Sequence, residues 1–351
     1  MIQVRGFLLF ILFTVSISAL AQTLSTQSFL SLKKDEDSMK NYSREMIMDK
    51  TAAQRFAADS FFIRMLVRSL KTPYSFNYPF DSLETVSRIY APDSSFRIFS
   101  WQWERDNDYF RQRGAIQMKT ADGTLKLFPL VDMSEFTTAP QDSVRTGRNW
   151  IGAIYYAIVM KTFNNKKYYT LLGYDDNNMR SAKKWIEVLS FDETGKPVFG
   201  GPFFSMKVGK IDSFASIARY GMEYKKEGRA RMNYDKEIDM IVFDHLVLED
   251  KQVDRPYNLV PDGDYQGFKW ENGKWALVDK VFDFKLKDGQ APMPAPIKDA
   301  TGKNDELKLL EQSEKNMQRS QPPAKTPAKV PTKAPVKKQA EKKQAKDEDS
   351  Y

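Results

Sequence analysis

The chain of 351 residues has no cysteine and a single histidine, His245. Without cysteine there is no disulfide, no thiolate metal site, no cysteine nucleophile and no thiol to carry a lipid. One histidine excludes the usual zinc sites built from several imidazoles. A serine–histidine–acid triad would have to use His245, and no Gly-x-Ser-x-Gly elbow supplies a serine for it. Neither a phosphate-binding P-loop nor a Gly-x-Gly-x-x-Gly fingerprint occurs, so no cofactor is expected. After the first two dozen residues no apolar run is long enough to span a bilayer as a helix. Stability must therefore come from an ordinary core, for which the length suffices.

Both ends of the chain are legible. Residues 1–21 have the three parts of a secretory leader: Arg5, the apolar core Phe7–Val15, and the small-x-small site Ala19-Leu20-Ala21. An extracytoplasmic protein, periplasmic or secreted, is the expectation. From Pro323 a Pro-x-Lys-x tetrapeptide repeats four times, and residues 321–346 hold eight lysines against one glutamate. That segment alone carries +7 of the formal +8 of the chain, so the folded part is close to neutral. Regular proline with nothing apolar to bury predicts an extended, disordered tail over 291–351. Its lysines, Lys325, Lys329, Lys333 and Lys337 among them, suit contact with an anionic surface. A basic tail without interleaved aromatics gives no footprint for nucleic acid.

Between the ends, helix comes first. In residues 27–71, within an N-terminal segment 22–80, Thr51 and Gln54 form a capping-box pattern. Phe56, Ala57, Ser60, Ile63, Val67 and Leu70 then recur at helical spacing, predicting the face that packs on the sheet, and Pro73 ends the run. From 81 to 290 short apolar segments alternate with turn signals, which predicts a mainly β fold: a large antiparallel meander closed or folded as a barrel, sandwich or few-bladed propeller. "WIGAIYYAIVMKTF", residues 150–163, reads as one strand covered on both faces, turning at Asn164-Asn165. Asn272-Gly273 predicts a two-residue hairpin pairing Trp270 with Trp275 and Glu271 with Lys274. Those tryptophans could stack a sugar, but their apolar flanks favour a structural pair. His245, at the edge of an apolar strand, reads as packed and hydrogen-bonded.

Few stretches look chemical. "WQWERDND" places Trp101 and Trp103 on one face, with Glu104, Asp106 and Asp108 beyond, as a sugar site would. "GYDDNN" places Asp175 and Asp176 before Asn177 and Asn178 at a strand end. Four consecutive residues cannot all face one ion, whereas Asp and Asn suit a chain reversal, so a turn rather than a metal site is expected. The ligand-contacting candidates are thus Trp101, Trp103, Glu104, Asp106, Asp175 and Asp176.

"SFNYPFDSL" with "PDSSFRIFSWQ", "YYTLLGYDDNN…KKWIEVLSFDETGKPVFG", "IVFDHL" and "PDGDYQGFKWENGKW" resemble a group of exported envelope proteins of unknown function from Bacteroidetes-type bacteria. The resemblance covers roughly residues 50–285. It implies an envelope address and brings no activity or catalytic residue with it. The expectation is a non-catalytic binding or scaffolding module for a glycan, peptide or envelope component. The alternative is a carboxylate-dependent glycan hydrolase, which would need two carboxyls flanking a cleft. A purely structural matrix component would show no pocket.

Overall fold

The computed structural model describes residues 24–106, 109–208, 213–250 and 255–282, together with Lys308 and Leu310. The expected leader, residues 1–21, and Lys325, Lys329, Lys333 and Lys337 lie outside these residues; within 291–351, Lys308 and Leu310 are both helical. Two helices open the fold, α1 (Thr26–Met48) and α2 (Ala52–Leu70). The capping box forms as the sequence implies, with the Thr51 hydroxyl accepting from Gln54 N and the Gln54 side chain accepting from Thr51 N.

The buried face of α2 differs from the one that apolar spacing selects. Arg55, Ala58, Asp59, Phe62, Leu66, Ser69 and Leu70 face inward, while Phe56 is half exposed. Two charged residues on the inner face hide it from a hydrophobicity pattern, because their charges find partners on the sheet beneath. Asp59 accepts from the Trp101 indole at 2.9 Å and pairs with Arg113 at 3.3 Å; Arg55 donates to the Glu104 carbonyl at 2.7 Å. Buried charge is tolerated when paired and hydrogen-bonded in this way.

The first sheet is a meander of β1 (Val86–Tyr90), β2 (Phe96–Asp106), β3 (Tyr109–Met118) and β4 (Lys126–Val131). The second contains β5 (Arg145–Thr146), β6 (Ile154–Phe163), β7 (Lys166–Asp175), β8 (Ser181–Phe191) and β9 (Pro197–Phe199), ordered β5-β9-β8-β7-β6. The chain then enters the third sheet with β10 (Phe204–Val208) and β11 (Ser213–Ile217), and returns to the second, where β12 (Arg219–Lys225) pairs with β8. It completes the third with β13 (Met232–Asp235), β14 (Met240–Leu248), β15 (Leu259–Glu271) and β16 (Lys274–Val278). That sheet runs β11-β10-β16-β15-β14-β13, and its β10–β16 contact is parallel.

Three cores lie between four layers. Leu32, Met39, Phe62, Leu66, Phe99 and Trp101 fill the space between the helices and the first sheet. Phe96, Ile98, Ile116, Leu171, Trp185 and Leu189 fill that between the first and second sheets. Leu172, Ile186, Val188, Phe243, Phe268 and Trp275 join the second sheet to the third. Side chains alternate along a strand, so Leu171 and Leu172 point to opposite cores, and the second sheet is covered on both faces. The result is mainly β, with stacked open sheets and no closed barrel. The predicted strand over 150–163 is shorter: β6 begins at Ile154, while Trp150, Ile151 and Ala153 enter the middle core from the preceding loop.

Local turn chemistry holds where it was readable. Asn164 and Asn165 both adopt positive φ, as a tight hairpin turn requires. The Asn272-Gly273 hairpin has the predicted register, Glu271 opposite Lys274 and Trp270 opposite Trp275. Trp275 is fully buried and donates to the Thr170 hydroxyl at 2.8 Å, so this pair is structural.

Candidate functional site

The pair Trp101 and Trp103 does share a face, but that face is roofed by α2. Trp101 packs edge-on to Phe62, and Trp103 lies against Phe56 with ring centroids 5.6 Å apart. Both are buried, which removes them as a sugar platform. The acids beside them are dispersed. Glu104 lies 3.8 Å from Arg55, and Asp176 is held by Lys226 at 2.8 Å and by the Tyr174 hydroxyl at 2.6 Å. Asp106 ends β2 opposite Tyr109 across a bulge; its side chain and Asp108 lie outside the described residues. His245 is hydrogen-bonded to Asp262 at 2.8 Å but stands partly exposed instead of packed, at the bulge where the β14–β15 register shifts between Asp244 and Leu246.

"GYDDNN" is a chain reversal. Asn177 takes φ 51°, the Asp175 carboxylate accepts from Asn177 N at 2.8 Å, and Asn178 caps Arg180 N and Ser181 N. Among the described residues no three His, Asp or Glu side chains are placed to hold a metal. The turn nevertheless delivers Asp175 to a place where polar groups converge beside a cleft.

That place follows from the register of β7, β8 and β12. On the face turned to the first sheet they form three rungs: Asp175–Lys183–Glu223, Gly173–Trp185–Gly221 and Leu171–Glu187–Arg219. The middle rung flanks a large ring with two glycines. A Cβ on Gly221 would fall 2.2 Å from the Trp185 ring, and one on Gly173 would fall 2.7 Å from Ala153, so neither position admits a side chain. The indole lies flat over β12 in the space the glycine leaves.

The inner rung is closed. Arg219 and Glu187, both fully buried, pair at 3.0 Å. Tyr155 donates to the second Glu187 oxygen and accepts from the Trp150 indole at 2.6 Å, while Arg219 also reaches the carbonyls of Pro140 and Ser143. Burial first, then the adjacent Glu187 charge, pushes the Tyr155 hydroxyl well above its ordinary pKa, so it stays a donor.

The outer rung is open at Lys183 and Glu223, while its Asp175 is buried. It forms the rim of a cleft of about 310 Å³, with Trp185 and Gly221 behind it. The loop between β4 and β5 supplies the facing wall, including Ser134, Thr137 and Gln141. This loop is anchored: Asp132 accepts from Ser134 N and Gly152 N, and Gln141 O accepts from Ala218 N at 2.7 Å. Lys183 stands 3.7 Å from Glu223 and donates to Asn177 at 2.9 Å. Burial raises the Asp175 carboxyl to about 7, against bonds from Asn177 N and Gln112 that favour its ionised form. The Trp185 indole N–H is buried and has no hydrogen-bond partner. An unmatched buried donor costs about 1–3 kcal/mol.

Of the predicted residues only Asp175 belongs to this cleft; Lys183, Trp185, Gly221 and Glu223 were missed. A signal existed in Lys183-x-Trp185-x-Glu187 and Arg219-x-Gly221-x-Glu223. Run antiparallel, each charge meets its opposite and the tryptophan meets glycine. Compared with protein-family models, curated proteins and solved structures, the chain finds no match in any of the three.

Proposed function

We propose that the protein is a non-catalytic, exported envelope module that binds a glycan in the cleft above Trp185. One observation carries the reading: a small cleft rimmed by hydroxyls, an amide and one loose ion pair has the edge of the Trp185 ring for its floor. Saccharides present matching chemistry, an apolar ring face with hydroxyls around it. The export signal and the resemblance to envelope proteins supply the address, and the tail lysines Lys325, Lys329, Lys333 and Lys337 would add contact with anionic surfaces. The hydrolase alternative has one point in its favour, the Asp175 carboxyl raised to about 7 in a cleft that Glu223 also lines, across Lys183. Against it, Asp175 is engaged by Gln112 and Asn177, and Glu223 by Lys183, Asn177 and Ser181, leaving neither poised as a nucleophile.

The test is calorimetric titration of residues 22–351 with neutral oligosaccharides released from envelope polysaccharide, alongside Lys183→Ala and Glu223→Gln. Binding that both variants weaken without lowering Tm supports the reading. Wild-type and variants that bind alike, or not at all, would sink it. Release of new reducing ends during the titration would move the assignment to the hydrolase.

A further inference from the structure

The loop that walls the cleft has a second side. Ser134 and Thr137 line the cleft, whereas the intervening Glu135 and Phe136 line another, open pocket of about 540 Å³. Its remaining walls are Phe56, Trp103, Arg105, Arg111 and Arg113. Three guanidiniums thus line it with one carboxylate, while Asp132 at 3.4 Å from Arg111 and Asp59 at 3.3 Å from Arg113 pair two of them from behind. Arg105 and Arg111 hold Glu135 at 2.9 and 2.7 Å, and Arg111 is completed by the Asp132 carbonyl at 2.8 Å. Arg113 is different: it holds Asp59 through Nε, and among the described residues its two terminal nitrogens have no partner. The buried Trp103 indole N–H has none either. Beside this unfilled fork stand two outward phenylalanines, Phe56 at 50% and Phe136 at 70% exposure.

Exposed aromatic rings next to a free guanidinium fork suit a carboxylate attached to a body with a flat apolar face. We propose that this pocket binds the carboxylate of a uronic-acid unit, its sugar ring laid against Phe136 and Phe56. The inference rests on the glycan reading of the cleft, because it makes the two pockets neighbouring subsites for one acidic polysaccharide crossing residues 134–137. Consecutive residues of one loop facing alternate pockets are the geometry that a chain of sugar units would follow. A peptide with acidic and aromatic residues shares part of this chemistry, but it does not explain the hydroxyl-rich neighbour.

The experiment uses residues 22–351 and three probes: oligogalacturonate, the same oligomer with its carboxyls reduced to alcohols, and an Asp/Phe peptide of equal charge. The expected result is tighter binding of the acidic oligomer than of the reduced one, by roughly tenfold for one charged contact, and a preference that shrinks with salt. Arg113→Lys should abolish that preference, whereas Phe136→Ala and Lys183→Ala should each weaken the acidic and the reduced oligomer alike. The acid-against-reduced comparison on the unaltered protein keeps the test valid even if Arg113→Lys disturbs Asp59, and Phe136, being exposed, reports the ring contact without disturbing the fold. Equal binding of acidic and reduced oligomers overturns this proposal and leaves the cleft reading standing. Failure of both oligomers to bind overturns both readings, and selective capture of the peptide overturns this one in favour of a protein ligand.

Discussion

Arg219–Glu187 and Glu223–Lys183 are opposite-charge pairs on the same face of the same two strands, one two rungs from the other. The inner pair sits at 3.0 Å with almost no exposure, and Tyr155, Trp150 and main-chain carbonyls satisfy what remains. The outer pair sits at 3.7 Å, with 28% and 30% of its side chains exposed. A buried pair that is fully hydrogen-bonded fixes one arrangement of the strands, and removing one partner strands the other. A pair as open as the outer one contributes at most about 1 kcal/mol, so stability gives no reason for its placement. One rung is sealed inside the protein; the other shares its partners with the Asn177 turn and stays in reach of solvent.

Breaking the inner rung should have the largest effect. Glu187→Ala leaves Arg219 buried without its partner and should cost about 3–5 kcal/mol in urea unfolding. Replacing Glu187 and Arg219 together by leucine should recover much of that loss. A Glu187→Ala cost below about 1 kcal/mol would mean that the pair does not pin β12 to β8.

Next comes the acid between the two regimes. Asp175 titrates near 3.8 when unfolded and near 7 when folded. The native state therefore holds the extra proton between those values, so its contribution is complete below pH 3.8 and is lost as pH rises through 7. At about 1.4 kcal/mol per unit the loss is bounded by roughly 4 kcal/mol. Asp175→Asn should flatten this part of the stability–pH curve, measured as urea midpoints at pH 5 and pH 8. A wild-type curve already flat across that range would contradict the assignment.

Gly221→Ala probes the rung between. Its Cβ must displace the Trp185 ring, at a cost of about 1–3 kcal/mol, and the displaced indole should quench ligand binding; unchanged Tm and binding would show that the ring has room to move. The smallest expected effect on stability is at the outer rung. Lys183→Ala should shift unfolding by less than about 1 kcal/mol while weakening glycan binding roughly tenfold. A large stability loss there would erase the distinction between the rungs.

Whatever depended on neighbours in the chain was readable in advance. The Thr51–Gln54 box, the Asn164-Asn165 and Asn272-Gly273 turns, and the reversal at Asn177 each follow from side chains acting on their own backbone. What depended on distant pairing was not. The inward face of α2 is set by Asp59 and Arg55, whose partners lie more than forty residues away on β2 and β3. The aromatic pair of "WQW" seemed available because nothing local reveals that α2 covers it. The cleft needs β8 beside β12, and the excursion through β10 and β11 separates the two in sequence.

The same excursion sets a schedule for assembly. The third sheet pairs β10 with β16, some seventy residues later, and β16 is also the strand that joins β10 to β15. As the chain emerges from amino to carboxyl end, that sheet lacks its linking strand until residue 278 has appeared. Before then β10 and β15 present unpaired edges, the kind of surface that seeks other chains. A polypeptide built this way is held back from its final form until its last strand has emerged, however early the first strands of that sheet are made.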